Sequence, residues 1–241
     1  MDWAFLSETF RNLVSAIPLT LKLGALSMVL GSILATLLAL MRLSGIRALD
    51  GVARLYIFVF RGTPLLVQIF LIYYGLGQFP AVRHSFLWPF LREPYWCAIL
   101  ALTLNTGAYV AEIIRGGLLA VPAGQIEAAR ACGMSPWLRF RRIVMPLAIR
   151  QALPAYGNEV IAIVKATSLT SIITLMEVTG VAARIIAETY RTVEVFVVAG
   201  AIYLAINFVL TRLIMLAEYR LTPHLRQPPQ GRLVSAKGET R

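Results

Sequence analysis

Charged residues are scarce in this chain of 241 residues, since Asp, Glu, Lys and Arg make up only 15% of it and hydrophobic residues make up 58%. A soluble domain carries about 25% charged residues. The charges are absent from several long stretches, which excludes a disordered chain and an ordinary cytosolic enzyme. The two cysteines, Cys97 and Cys132, give neither a disulfide framework nor metal-ligand spacing, so no metal site is expected. The composition predicts one polytopic membrane domain.

Acidic residues are also few, with 12 Asp and Glu against 23 Lys and Arg, which gives a net charge of +11. In a soluble protein, such an excess of basic residues would indicate nucleic-acid binding. Here the basic residues lie between apolar runs, where the positive-inside rule accounts for them. We therefore expect contacts with membrane lipid and no nucleic-acid partner.

Five apolar runs are long enough to cross a bilayer, which takes roughly 20 residues. They cover about residues 17–41, 55–76, 95–114, 152–176 and 195–216, and Arg61-Gly62-Thr63-Pro64 interrupts the second. No alternation typical of strands appears, so the predicted fold class is an all-α integral membrane protein. We expect one transmembrane domain over residues 1–222 and a mobile cytoplasmic tail over residues 223–241, where apolar content is low.

The distribution of basic residues predicts the orientation of these spans. Fifteen Lys and Arg follow spans one, three and five, whereas five lie on the opposite side. Because basic residues concentrate on the cytoplasmic side, the N-terminus is predicted to be periplasmic and the C-terminus cytoplasmic.

The segment between spans three and four, about residues 115–150, is too charged to cross a bilayer. Pro122 suits the start of a first short helix, and Gly133 suits the left-handed residue that ends it. A second short helix is predicted over residues 137–144, with Pro146 ending it before span four. From spacing alone, an amphipathic connector lying on the bilayer surface is an equally good interpretation.

One motif in this segment resembles a known family. It reads Glu127-Ala128-Ala129, three residues, Gly133, nine residues, then Ile143-Val144-Met145-Pro146. This resembles the Glu-Ala-Ala loop of ABC importer permeases and departs from the family pattern at Met145, where leucine is usual. Because methionine is apolar and close to leucine in volume, we expect the second helix to tolerate the difference.

Three further motifs extend the resemblance over most of the chain, from about residue 19 to residue 218. They cover residues 60–68, 102–109 and 153–159, and they are similar to signatures of the polar amino acid uptake family, histidine, arginine and opine permeases above all. The resemblance implies a type I ABC importer permease fold, in which a coupling-helix loop lies between spans three and four.

The resemblance also implies partners and a role for the loop. Partners would be a cytoplasmic ATPase dimer, a second permease subunit (a paralogue rather than an identical copy) and a periplasmic substrate-binding protein in a bacterial inner membrane. The loop would lie in a cleft of the ATPase and transmit its closure through five residues: Glu127, Ala128, Ala129, Gly133 and Pro146. The chain has no phosphate-binding loop, so we expect no catalysis and no cofactor of its own, with ATP and Mg bound by the ATPase.

Polar residues inside the spans are candidates for substrate contact, because a charge in the bilayer is costly unless it faces protein or water. Asn105, Tyr109 and Glu112 share one face of span three, since they lie at i, i+4 and i+7. In span four, Glu159 would attract the cationic end of an amino acid, and Ser168 would supply a hydrogen bond.

These assignments have alternatives. A buried ion pair between Glu159 and Lys165 would hold the helices in register without touching substrate. Glu112, near the cytoplasmic end, could belong to a gate or to a helix-end ion pair. For Arg61, we favour a structural role, either bonding the carbonyls that Pro64 frees or binding lipid phosphate, over substrate contact.

The leading hypothesis is the permease subunit of an ATP-driven importer, which moves a polar or basic amino acid or an opine by alternating access. One alternative is a stand-alone secondary transporter that uses Glu159 and Lys165 as a proton or ion relay, although the chain lacks discontinuous paired halves. Another is a non-transporting scaffold that recruits a cytoplasmic protein through its arginine-rich loops.

The predicted bend at Gly133 yields a first test. Gly133→Val introduces a β-branched side chain where a left-handed backbone is needed, and this conformation is unfavourable for valine. We expect the variant to insert in the membrane at a normal level and to lose coupled uptake. Normal uptake by the variant would contradict the coupling role.

Overall fold

The computed structural model describes residues 2–221, which are almost entirely helical and contain no strand. The predicted tail over residues 223–241 lies outside the described residues. The α-helices are α1 (Trp3–Leu43), α2 (Arg47–Gly62), α3 (Leu65–Phe70), α4 (Pro80–Arg83), α5 (Trp88–Leu91), α6 (Pro94–Leu119), α7 (Ala123–Ala131), α8 (Pro136–Arg139), α9 (Met145–Ala166), α10 (Val178–Thr189) and α11 (Thr192–Leu221). Short π-helical or 3₁₀ segments extend these helices at Leu71–Gly75, Leu76–Gln78, Phe140–Val144 and Thr167–Ile173.

Five spans result when each bent helix pair is counted as one. Helices α1, α6 and α11 are each long and apolar enough to cross a membrane. The other two spans are bent pairs: α2 with Leu65–Gln78, which meet at 103°, and Pro136–Ile173 with α10, which meet at 44°. This agrees with the five predicted apolar runs, although the helices extend beyond most of the predicted ends.

Helix α1 is the longest element, with 41 residues and therefore a length of about 60 Å. It begins at Trp3, well before the predicted start near residue 17, because Asp2 caps it by accepting a hydrogen bond from the Phe5 N–H (3.2 Å). The hydrocarbon core of a bilayer is about 30 Å thick. The N-terminal turns of α1 therefore extend past the apolar run.

Close packing of α1 against α6 forms the centre of the main core. A Cβ placed on Gly31 of α1 would lie 2.7 Å from the Thr106 Cγ2, and one placed on Gly107 of α6 would lie 2.8 Å from the Leu34 Cδ2. Small residues at these positions allow the two backbones to approach closely, as is common between membrane helices. The α1–α6 pair is the scaffold against which α2 and α9 pack.

The second short helix of the loop does not end before Pro146, so that prediction is wrong. Helix α8 continues through the π-helical segment Phe140–Val144 directly into α9, and the Met145 N–H bonds to the Phe140 carbonyl. A proline removes one backbone donor and clashes with the carbonyl four residues earlier. The wider π-turn just before Pro146 relieves that clash, so the chain remains helical from the loop into the span.

Helix α10 was not predicted, because its residues lie between the apolar runs of spans four and five. Its start is fixed by Glu177, which is fully buried and accepts hydrogen bonds from the Gly180 N–H (2.9 Å) and the Tyr203 hydroxyl (2.6 Å). The Thr20 hydroxyl lies at hydrogen-bond distance from the same carboxyl group (3.4 Å). One acidic side chain thus joins α1, α10 and α11, where a second apolar cluster surrounds Leu13 and Val195.

Candidate functional site

The break between α2 and α3 follows from Pro64. In a continuous helix the Phe60 carbonyl would accept a hydrogen bond from the N–H of residue 64, and proline has none. Helix α2 ends at Gly62, and Thr63 and Pro64 are extended before α3 begins. In a membrane the orphaned carbonyls need another donor.

Gln68 supplies that donor, a role that the sequence patterns do not predict. Its Nε2 group donates to the Phe60 carbonyl (2.9 Å), the Thr63 carbonyl (3.1 Å) and the Thr63 hydroxyl (2.8 Å). The side chain is only 6% exposed. Of the two structural roles suggested for Arg61, bonding these carbonyls is wrong, because Gln68 on the other side of the break donates to them. A polar residue four positions after the proline, inside an apolar run, was the available signal.

Helix α6 contacts the break through two residues one turn apart. The Asn105 Nδ2 group donates to the Phe60 carbonyl (3.3 Å) and to the Gln68 Oε1 (3.2 Å). Tyr109 places its ring under Arg61, with the guanidinium carbon 5.0 Å from the ring centroid. This is the geometry of a cation–π contact.

A cavity of about 470 Å³ opens at the break, between α2, α3, α6 and α9. It is lined by Arg61, Gly62, Thr63, Pro64, Leu65, Asn105, Tyr109, Glu159, Ala162, Ile163 and Ala166. A volume of this size is within the range of small-molecule sites. The lining carries one basic and one acidic side chain, Arg61 and Glu159. The other lining residues are the polar Thr63, Asn105 and Tyr109 and several small or apolar residues.

The structure brings together three of the five predicted substrate residues: Asn105, Tyr109 and Glu159. Ser168 does not line this cavity, and its hydroxyl donates to the Lys165 carbonyl (2.7 Å). The alternative of a buried Glu159–Lys165 ion pair is wrong, because Lys165 is exposed and no such pair occurs within the described chain.

Glu112 lies outside the cavity, about one turn after Tyr109 on α6, in an ion-pair cluster. Its Oε2 contacts the Arg115 Nη2 (2.6 Å), and its Oε1 contacts the Arg42 Nε (3.3 Å). Arg42 also pairs with Asp50 (2.6 Å), which in turn pairs with Arg54 (2.6 Å). Of the alternatives for Glu112, the structure therefore supports the helix-end ion pair. The cluster ties α1, α2 and α6 together.

The bend after α7 has the predicted geometry. Gly133 has a φ of +72°, its N–H bonds to the Arg130 carbonyl (2.9 Å), and the Met134 N–H bonds to the Ala129 carbonyl (3.1 Å). These two bonds define a Schellman motif, which requires a left-handed residue. A Cβ on Gly133 or on Gly124 would have no atom within 4 Å, so strain at Gly133 comes from the backbone alone. Gly124→Val is therefore a matched control for Gly133→Val.

The predicted coupling residues divide by exposure. Glu127, Ala128 and Gly133 are exposed, Ala129 is buried, and Pro146 is partly buried in the first turn of α9. The loop also presents Trp137, which is 70% exposed and stacks on Phe140. It thus combines apolar and polar groups on one accessible surface.

Comparison with known proteins identifies the family. The family described as "binding-protein-dependent transport system inner membrane component" matches residues 27–223. The chain belongs to this family. The permease is 65% identical over 225 residues to the octopine transport system permease protein OccM of Rhizobium radiobacter, covering 93% of this chain and 92% of that one.

Two further relatives have similar coverage. The nopaline transport system permease protein NocM of Agrobacterium fabrum is 58% identical, covering 94% of each chain. The histidine/lysine/arginine/ornithine transport system permease protein HisM of Escherichia coli is 41% identical, covering 93% of this chain and 94% of that one. The resemblance predicted from the motifs is confirmed.

Solved structures confirm the predicted fold. A crystal structure of an amino acid ABC transporter with histidines matches the permease with a TM-score of 0.81 and 37% identity, covering 91% of this chain and 99% of that one. An inward-facing structure of the MetNI methionine ABC transporter matches with a TM-score of 0.62 and 20% identity, covering 94% of this chain and 100% of that one, which bears on the fold alone.

The ion-pair cluster predicts a stability effect without a substrate effect. Glu112→Gln removes the carboxylate from two partly buried arginines, Arg42 and Arg115, and should lower the free energy of unfolding by about 1–2 kcal/mol. Thermal unfolding of the purified transporter checks this. Glu93→Gln is the control, because that glutamate is exposed and lies 3.6 Å from Arg92. Weaker substrate binding by Glu112→Gln at unchanged stability would restore Glu112 to the substrate site.

Proposed function

We propose that the permease is the transmembrane subunit of an ATP-driven importer, which carries a polar or basic amino acid or an opine across the bacterial inner membrane by alternating access. The observation that carries this proposal is the cavity at the broken span, where Arg61 and Glu159 face the same space. The names of the relatives support the substrate class, since these are octopine, nopaline and basic amino acid permeases.

The charges of the cavity complement such a substrate. An amino acid or an opine carries a carboxylate and at least one cationic nitrogen, and both need partners when they leave water. Glu159 is the proposed partner of the cationic side-chain nitrogen of a basic substrate. Arg61 is the proposed partner of the carboxylate, in place of the structural role favoured from the sequence, since guanidinium groups bind carboxylates in bidentate geometry. The Arg61 guanidinium lies over the ring of Tyr109 in a cation–π contact. Glu112 and Ser168 are not part of this proposed site.

Coupling to ATP hydrolysis is proposed to reach the cavity along one helix. Residues Pro136–Ile173 form a continuous helical path, so the part of the loop after the Gly133 bend lies on the same helical element as Glu159. About 23 residues separate Pro136 from Glu159, a distance of about 35 Å along a helix. A displacement of the loop would therefore move one wall of the cavity directly.

The partners proposed for this role are a cytoplasmic ATPase dimer on the loop, a paralogous second permease and a periplasmic substrate-binding protein. The exposed Glu127, Ala128 and Gly133 support the first of these. ATP and Mg would be bound by the ATPase, so the permease itself would carry no cofactor and perform no catalysis. The bias of basic residues supports a periplasmic N-terminus and a cytoplasmic C-terminus.

Reconstitution tests this function. The permease, its genomic partner permease, the ATPase and the binding protein are placed in liposomes, and uptake of radiolabelled octopine and L-arginine is measured. We expect uptake that requires ATP and every subunit. Uptake by this chain alone under an ion gradient would identify a secondary transporter, and assembly without flux would identify a scaffold.

The acidic wall of the cavity yields a sharper prediction in the same assay. Glu159→Gln removes the charge that pairs with a cationic substrate, so the uptake efficiency for L-arginine should fall at least about tenfold, which corresponds to about 1.4 kcal/mol. Uptake of L-histidine at a pH where its side chain is neutral should fall much less. Glu188→Gln, at an exposed position of α10, is the control. Equal loss for both substrates would indicate a structural role.

A further inference from the structure

We propose that Gln68 is a positioning residue of the cavity: by fixing the backbone on both sides of Arg61, it holds the Arg61 guanidinium over Tyr109 and sets how tightly the cavity binds a carboxylate. The inference rests on the proposed function, in which Arg61 meets the carboxylate of the substrate. It adds a residue that touches no substrate and acts through Arg61.

The hydrogen bonds of Gln68 frame Arg61 along the chain. Phe60 immediately precedes Arg61 and Thr63 follows it by two residues, and both carbonyls accept from the same Gln68 nitrogen (2.9 and 3.1 Å). The Thr63 hydroxyl, also bonded to Gln68, donates in turn to the Val59 carbonyl (2.8 Å). A side chain from α3 thereby satisfies the free carbonyls at the C-terminal end of α2.

Few other contacts fix the position of the Arg61 side chain. Its side chain is exposed, and within residues 2–221 it forms no ion pair within 4 Å. Its guanidinium carbon lies 5.0 Å from the centroid of the Tyr109 ring. Cation–π contacts at exposed sites are weak, so Tyr109 alone does not fix a long arginine side chain. The position of the guanidinium therefore depends on where the backbone places it.

A glutamine is suited to this position because it is both a donor and an acceptor. While its Nε2 group bonds to the break, its Oε1 accepts from the Asn105 Nδ2 (3.2 Å). Asn105 stands one helical turn before Tyr109 on α6, so the amide pair also sets the distance between the break and the tyrosine ring. The amide donors of Asn105 are engaged by Phe60 and Gln68, which makes Asn105 a positioning residue as well.

A binding assay tests the inference. The whole transporter, with partner permease and ATPase and without binding protein, is placed in nanodiscs, and equilibrium binding of radiolabelled octopine and L-arginine is measured. Gln68→Met preserves side-chain length and removes every hydrogen bond. We expect Kd to rise about tenfold in Gln68→Met and in Arg61→Gln, and the double variant to bind no more weakly than Arg61→Gln alone. Gln78→Met, at an exposed position of the same half-span, should bind like wild type.

Methyl esters of the two probes separate positioning from general structural damage. When every carboxyl group is esterified, both probes lack carboxylate charge, so Gln68→Met and Arg61→Gln should both bind them as wild type does. If Gln68→Met does not assemble, Gln68→Asn keeps the amide, shortens its reach by one methylene and should show the same pattern.

If the wild-type transporter binds a probe, two outcomes would overturn this inference and leave the proposed function standing. They are unchanged binding of the free acid by Gln68→Met, and additive losses in the double variant with equal weakening for acid and ester. A wild-type transporter that binds neither probe would instead contradict the proposal that the cavity is the substrate site, and this inference would fail with it.

Discussion

The carbonyl of Phe60, left without a donor by Pro64, is the constraint on which the functional part of the structure depends. Within a bilayer no water is available to satisfy it, so the protein must supply a replacement. Gln68 and Asn105 do so from two different helices. Because they do, the second span can turn through 103° inside the membrane, and the space left at the turn is the cavity that holds Arg61 opposite Glu159.

The helices around that cavity are also joined to the rest of the bundle. A cluster around Arg42 joins α1, α2 and α6 on one side of the bundle, and Glu177 joins α1, α10 and α11 at a separate point. Helix α9 differs, because it continues from the exposed loop through the π-turn to Glu159. Anchored helices and one helix that extends to an accessible loop form an arrangement suited to a transporter whose motion is imposed from outside.

Hydropathy and motifs predict the spans and the bend at Gly133, since both follow from period or local backbone rules. The grouping of Asn105 and Tyr109 with Glu159 of another span follows from the cost of polar groups in a bilayer and from the family resemblance. What they miss depends on tertiary contacts. The role of Gln68 depends on the backbone of the break folding against its side chain. The role of Glu112 depends on the position of Arg42, which lies on another helix. Helix continuity across Pro146 depends on a π-turn, which leaves no signature in composition, and α10, with 12 residues, is too short to be detected as a span.

The most direct test is a cryo-EM structure of the assembled transporter with its transported amino acid or opine bound. The account predicts ligand density at the α2–α3 break, with the carboxylate at Arg61, the cationic nitrogen at Glu159, and Gln68 still bonded to Phe60 and Thr63. Ligand density elsewhere in the bundle, with this cavity closed or filled by side chains, would contradict it.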